Sequence, residues 1–333
     1  MTEQQTMLAD MVGQLFAELG PTAEFERDWA RILEVELPGL LIPEAQGGFG
    51  GNWEDAGLVF RLAGRSALNL PVTEAIITAH LAVSAGWTPP SGMGSLAGSA
   101  DGVLSDGLYS GTAACVPWGR FAAYIVLPAP DGEGALLLET ASASIDPALN
   151  PAGEPRDSLH FSDAPVTRID VDLVGLGAFA RSAQIAGALD AALAMSIEYV
   201  NERQQFGRPI AKFQAVQQAL ASFACEAVAA NTAAVGAAQA LRRGDAGFEI
   251  AAAKLRANMA VGEGTATAHQ VHGAIGFTEE YALHRITRRL WSWRSEFGGD
   301  ALWSSRLGGW VAAAGADQFW PSIADRTDPM EVN

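Results

Sequence analysis

Thiols are nearly absent. The 333-residue chain has two cysteines, Cys115 and Cys225, far apart in sequence. Without a secretion signal a disulfide framework is not expected, and neither cysteine has metal-ligand neighbours. Charge is also sparse at 18% of residues, and the 21 basic residues are outnumbered by 38 acidic ones, for a net charge of −17. No basic surface emerges from that count, which argues against a nucleic-acid partner. No apolar run reads as long enough to span a bilayer. The opening MTEQQTMLADMVGQLFAELG lacks the basic leader and long apolar core of a secretory signal. A cytoplasmic protein without membrane association is the expectation. No repeat at a solenoid period is visible. What is present is a globular composition, 49% apolar, in a chain able to bury a large core in two or three units.

The apolar pattern divides the chain. Leu8, Val12, Leu15 and Leu19 recur at helical spacing, as do Phe25, Trp29 and Ile32. A Pro/Gly-rich loop containing IPEAQGGFG leads to a helix with Leu58 and Leu62, and Pro71 opens another through Ile76 and Leu81. TPPSGMGSLAGSADG holds too much Gly, Ser and Pro for a helix. From Gly111 to about Val174 the signals are those of strands, with PDGEG as a hairpin turn between FAAYIVLPA and ALLLET. Four helical stripes follow: Ile185, Leu189, Leu193, Ile197 and Val200; Phe213, Val216, Leu220, Phe223 and Ala227; Phe248, Ala252, Leu255 and Met259; Ile286, Leu290, Trp293 and Phe297. The reading is a mainly α chain with a small β domain. A helical domain spans 1–92, a trimmed antiparallel β domain 93–174, and a four-helix bundle 175–333.

The densest chemistry lies in RQQFGRPIAKFQAVQQALA, residues 203–221. Arg203 is a fixed cation, Phe206 a flat ring beside a glycine, and Gln214 and Gln217 are amides just past the turn. That set suits a ligand with a phosphate and a planar base. Any one of these residues alone is an ordinary feature of a helix–turn–helix joint. A second segment, HQVHGAIGFTEEYALHRITRR, places Gly273 and Gly276 just after a helix, where a backbone can approach a phosphate. Its histidines, His269, His272 and His284, have neither the spacing nor the neighbours of a metal site.

Together these segments resemble the acyl-CoA dehydrogenase family. Arg203, Phe206, Gly207, Pro209, Ile210, Phe213 and Gln214 match its R-x-x-F-G-x-P-I-x-x-F-Q signature in register. Gln270, Gly273, Gly276, Phe277, Tyr281 and Arg285 follow its Q-x-x-G-G-x-G-F/Y segment, with Ala274 at the second glycine. The resemblance implies FAD as cofactor: Arg203 on the pyrophosphate, Phe206 near the adenine, Gln214 and Gln270 as hydrogen-bonding amides, Gly273 and Ala274 along the diphosphate. In that family these contacts reach the FAD of a neighbouring subunit. It also implies α,β-desaturation of a CoA thioester, with the α-proton going to a Glu and the β-hydride to flavin N5. Electron-transfer flavoprotein is the implied acceptor, and the implied assembly is a homodimer, homotetramer or heterotetramer.

The base is the weak point of the match. The family's usual Glu stands in Tyr-Glu-Gly; here WSWRSEFGGD puts Phe297 at that place, and a one-residue shift puts Glu296 there. The family's alternative position corresponds to Gly177. Glu296 is therefore the expected catalytic base, with Asp300 a poorer substitute, and a bystander ion pair with Arg294 or Arg289 is the competing role. The β domain lacks a clear Thr-Glu-x-x-x-Gly-Ser-Asp segment; residues 94–102 are the nearest remnant. Trp118 lies either near the flavin or in the core. These departures motivate an alternative in which the chain is the non-catalytic, FAD-supporting subunit of a heteromeric dehydrogenase.

Overall fold

The structure is a computed structural model that describes residues 2–327. Helices α1 (Glu3–Leu19), α2 (Phe25–Glu34), α3 (Trp53–Arg65) and α4 (Val72–Ser84) come first. Local chemistry sets their starts. Thr2 accepts from the Gln5 amide N–H while the Gln5 side chain accepts from the Thr2 N–H, and Asn52 and Asp55 repeat this reciprocal cap on α3. The buried faces of α1 and α2 carry Val12, Phe16 and Leu19, and Trp29 and Ile32.

Eight strands follow: β1 (Met93–Leu96), β2 (Ser99–Ser105), β3 (Leu108–Pro117), β4 (Ala122–Pro128), β5 (Ala135–Glu139), β6 (Ser144–Asp146), β7 (Arg156–Pro165) and β8 (Thr167–Ile169). They make two four-stranded sheets, ordered β1-β4-β5-β8 and β2-β3-β7-β6. The turn expected at PDGEG joins β4 and β5, whose register closes with Pro128 opposite Ala135. Two features differ from the sequence reading. Strands begin at Met93, inside the Gly/Ser-rich stretch, and β1 runs parallel to β4. Small residues are required there: a Cβ on Gly94 would lie 2.4 Å from both Thr78 Oγ1 and the Tyr124 ring.

The chain then returns to long helices. α5 (Leu173–Glu202) is capped by Asp172, which accepts from the Gly175 N–H. A two-residue-per-strand hairpin, β9 (Gln204–Gln205) and β10 (Arg208–Pro209), leads to α6 (Gln214–Arg243), α7 (Gly247–His272), α8 (Leu283–Ser295), α9 (Asp300–Ala314) and α10 (Ala316–Thr327). Helices α5 to α8 form the bundle, with Ile185, Leu189, Phe223, Ala257, Val261, Leu290 and Trp293 in its core. Four stripe members fall elsewhere. Phe213 precedes α6 and Phe297 follows α8, while Met259 and Ile197 face outward. Helix α6 is, by length and composition alone, apolar enough to cross a membrane, a property the residue-by-residue reading missed because alanine supplies it. It packs against α3, α5 and α7, and its other face exposes Val228 and Val235.

Candidate cofactor cleft and a clamped carboxylate

The joint between α5 and α6 is built as a tight hairpin. Phe206 and Gly207 both have positive φ, 52° and 77°, the backbone of a mirror-image two-residue turn. Glycine adopts this freely; a phenylalanine there is strained by about 1–2 kcal/mol. The Ile210 N–H donates to the Arg203 carbonyl at 2.9 Å and closes the loop. The result holds the Phe206 ring 90% exposed. An open cleft of about 340 Å³ lies beside it, lined by Gln205, Phe206, Ile210, Phe213, Val216 and Gln270.

Sequence separation of more than sixty positions between Phe206 and Gln270 is thus bridged by the bundle, because α7 delivers its last turn next to the hairpin. Gln214 is the exposed first residue of α6, whose leading N–H groups have no side-chain cap. Gly273 ends α7 with φ 64°, and nothing lies within 4 Å of where its Cβ would stand. Ala274 is exposed in the turn that follows. Arg203, Gln214, Gly273 and Ala274 border the cleft-lining segments without lining the cleft themselves. Among the described residues Arg203, Arg208 and Lys212 have no carboxylate partner. In a chain of charge −17, the unpaired Arg203 and Lys212 on the segments that border the cleft, with an exposed ring and helix N–H groups lacking a side-chain cap, form a donor set that fits a planar, phosphate-bearing ligand.

The histidines serve packing. The His269 ring stacks on Phe277 with centroids 4.2 Å apart, and its Nε2 bonds Thr287 Oγ1 at 2.9 Å. His272 stacks on Tyr199 at 4.5 Å and bonds the Tyr281 hydroxyl at 3.1 Å. Burial pushes both imidazoles below their usual range, so both are neutral near pH 7. Among the described residues no three His, Cys, Asp or Glu side chains converge as a metal site.

Glu296 lies just past α8 and is clamped. Arg156 donates to it through Nε at 2.8 Å and Nη2 at 3.2 Å, and Arg181 through Nε at 2.7 Å. The network extends on both sides. Arg181 Nη2 reaches Glu74 at 2.6 Å, while Glu154 takes Arg156 Nη2 at 3.0 Å, Arg289 Nε at 2.9 Å and Trp293 Nε1 at 3.2 Å. Three carboxylates and three guanidiniums balance one another between the β sheets and the bundle. Burial alone would raise the Glu296 pKa, but Arg156 and Arg181 overcome it and hold the group at about 2. A general base for an α-proton needs a pKa lifted toward neutrality, so this geometry does not suit Glu296 to the role expected of it. Its partners are also not Arg294 or Arg289. Arg294 donates to Asp300 at 2.6 Å and holds that carboxyl below its usual range as well.

The depressed pKa makes a stability prediction. A carboxyl whose folded pKa is below its unfolded one stabilises the fold above the unfolded value, 4.5, and that contribution is lost as pH falls toward 2. Urea melts from pH 6 to pH 2.5 should show Glu296→Gln losing its deficit relative to wild type by roughly 3 kcal/mol across that window. A pH-independent difference would show that the clamp does not set the ionisation.

Phe297, next in line, has φ 52° and a buried ring. Its carbonyl accepts from Trp303 Nε1 at 3.0 Å, and the Gly298 carbonyl accepts from Lys254 Nζ at 3.1 Å. Lys254 also donates to Asn258 and to the Trp293 and Arg294 carbonyls, tying the end of α8 to α7. So pinned, the ring lies over Gly177. A Cβ on Gly177 would meet three Phe297 ring carbons at 2.2 to 2.5 Å. Trp118 is buried beneath Arg156, 5.1 Å from its guanidinium, in the core. Arg156, Arg181 and Lys254 escaped the sequence reading. The available signal was their isolation: Arg181 and Lys254 each interrupt an apolar helical run, where a lone charge must be paired once buried.

Residues 172–300 match the family described as acyl-CoA dehydrogenase, C-terminal domain. The acyl-CoA dehydrogenase FadE34 of Mycobacterium tuberculosis is 31% identical over 305 residues, covering 84% of this chain and 41% of that protein. The acyl-CoA dehydrogenase IpdE2 of the same organism is 27% identical over 314 residues, covering 86% of this chain and 91% of that one. This chain thus spans less than half of FadE34 and nearly all of IpdE2. Among solved structures, the ChsE4-ChsE5 complex from Mycobacterium tuberculosis contains a chain that superposes with a TM-score of 0.84 at 21% identity, over 95% of this chain and 99% of that one. Residues 172–300 thus belong to the acyl-CoA dehydrogenase C-terminal domain family, and the chain as a whole has the acyl-CoA dehydrogenase fold.

Proposed function

We propose that this chain is the cofactor-supporting subunit of a heteromeric acyl-CoA dehydrogenase, with the catalytic base on the other subunit. The observation that carries this reading is the space above Gly177. Of the two backbone positions that the resemblance offers for a base, one is Phe297 and the other is a glycine that its ring covers. The nearest carboxylate, Glu296, is already spent on two arginines. A self-sufficient dehydrogenase needs a base that this site does not supply.

The cleft is intact where the proton-transfer position is not. Arg203 would neutralise the FAD diphosphate, Phe206 would lie against the adenine, Gln214 and Gln270 would hydrogen-bond the cofactor, and the backbone at Gly273 and Ala274 would follow the diphosphate. FAD, when bound, supplies the hydride acceptor for α,β-desaturation of a CoA thioester. This chain's part is to hold and orient the cofactor's nucleotide end. The uncovered face of α6 and α7, with Val228, Val235 and Met259 exposed, would receive the partner's bundle. ChsE4-ChsE5 is itself a two-protein complex, which favours a heteromer. Electrons would leave to electron-transfer flavoprotein.

Two measurements test the proposal. The chain purified alone with FAD should show no bleaching of flavin absorbance on anaerobic addition of acyl-CoAs of four to sixteen carbons, roughly the span of acyl groups that probes a pocket of unknown width. Bleaching by any of them would sink the supporting-subunit reading. Arg203→Ala should weaken FAD retention about tenfold or more, the scale of one charge-assisted hydrogen bond. Unchanged FAD occupancy would refute the placement of the diphosphate.

A further inference from the structure

Arg208 has no place in the contacts assigned so far. It is exposed, lacks a carboxylate partner among the described residues, and lies with its guanidinium carbon 4.3 Å from the Phe213 ring centroid. Phe213 meets Phe206 edge to face, with centroids 6.1 Å apart and planes at 79°. Phe206 and Phe213 line the cleft and Arg208 does not; its guanidinium stacks on the Phe213 ring. The three side chains form a ladder that ends on the most exposed large apolar residue among the described residues. A ring so exposed, on a strained left-handed backbone, has little else to fix its orientation.

We infer that Arg208 is a positioning residue: by stacking on Phe213 it fixes that ring, and through it Phe206, as the preformed aromatic wall of the nucleotide cleft. The inference rests on the cofactor-supporting reading. Two alternative uses of Arg208 predict different behaviour. A direct phosphate contact would make its removal flatten the salt dependence of binding. A purely structural tie would leave ligand stacking unchanged.

The probe is 1,N6-etheno-ADP, whose base fluorescence is quenched on stacking, titrated into the full chain at several salt concentrations. Wild type should bind and quench. Arg208→Ala should bind about threefold more weakly, with reduced quench at saturation and an unchanged salt slope, and Arg208→Lys should recover only part of both. Arg203→Ala, by contrast, should lose affinity and salt slope and keep the quench of whatever binds. Wild-type quench and affinity in Arg208→Ala overturn the inference while leaving the cleft assignment standing. A lower salt slope in Arg208→Ala overturns it in favour of a phosphate contact. A wild-type chain that never binds the probe removes the cleft assignment and the inference with it.

Discussion

Gly187→Ala is expected to cost about 3 kcal/mol or more and to leave little soluble, folded protein. The reason is a backbone-to-backbone crossing of α3 and α5. An alanine Cβ at Gly187 would lie 1.9 Å from the Arg61 carbonyl oxygen, and one at Gly64 would lie 1.9 Å from the Gln184 carbonyl oxygen. Neither obstacle is a side-chain tip that can swing aside; each belongs to the opposing helix. The crossing is clipped by Arg61, which donates to Asp190 through Nε at 3.2 Å and Nη2 at 2.5 Å. Relief would require the N-terminal helices to slide off α5, the helix that carries both Gly177 and Arg181. The controls are Gly236→Ala in α6 and Gly262→Ala in α7, where nothing lies within 4 Å of the new methyl. Those should gain up to about 1 kcal/mol from helix propensity alone. Urea midpoints for the set are the measurement. A Gly187→Ala protein that melts with its controls would mean the helices do not approach this closely.

The legible parts of the molecule are those fixed by local pattern. The stripe Ile185, Leu189 and Val200 on α5 is buried as read, and so are Phe223 and Ala227 on α6. Phe206 and Gly207 stand in the turn read between two helices, while the left-handed backbone at Phe206 is not one that phenylalanine favours. What could not be read depended on distant partners. Strand β1 pairs in parallel with β4 some thirty positions on, and its Gly94 is required because Thr78 and Tyr124 crowd that position. Glu296 was visible as a lone glutamate near the expected place. Its role was not, because Arg156 reaches it from 140 positions away and Arg181 from 115. One carboxyl can be a base or an anchor according to which cations fold against it, and no spacing rule reports that.

Arg181→Met should therefore be the most damaging single change in the charged network, at roughly 3–5 kcal/mol. Arg181 is 1% exposed and bonds Glu74, Gln184 and Glu296 at once. Its guanidinium also lies 5.5 Å from the Phe297 ring centroid. Removing it strands Glu74 with no other cation partner among the described residues, while Glu296 keeps Arg156. The cost is that of a buried, uncompensated charge, not of a lost attraction, so it should be partly reversible by removing the charge left behind. Glu74→Gln with Arg181→Met should be more stable than Arg181→Met alone, which a double-mutant cycle by urea unfolding would read directly. Additive losses in that cycle would show the pair to be uncoupled. A recovered double variant would carry a functional consequence too. With the Arg181 face of Phe297 relaxed but no carboxylate made available, it should still fail to bleach with acyl-CoA, because charge repair at Glu74 supplies no base.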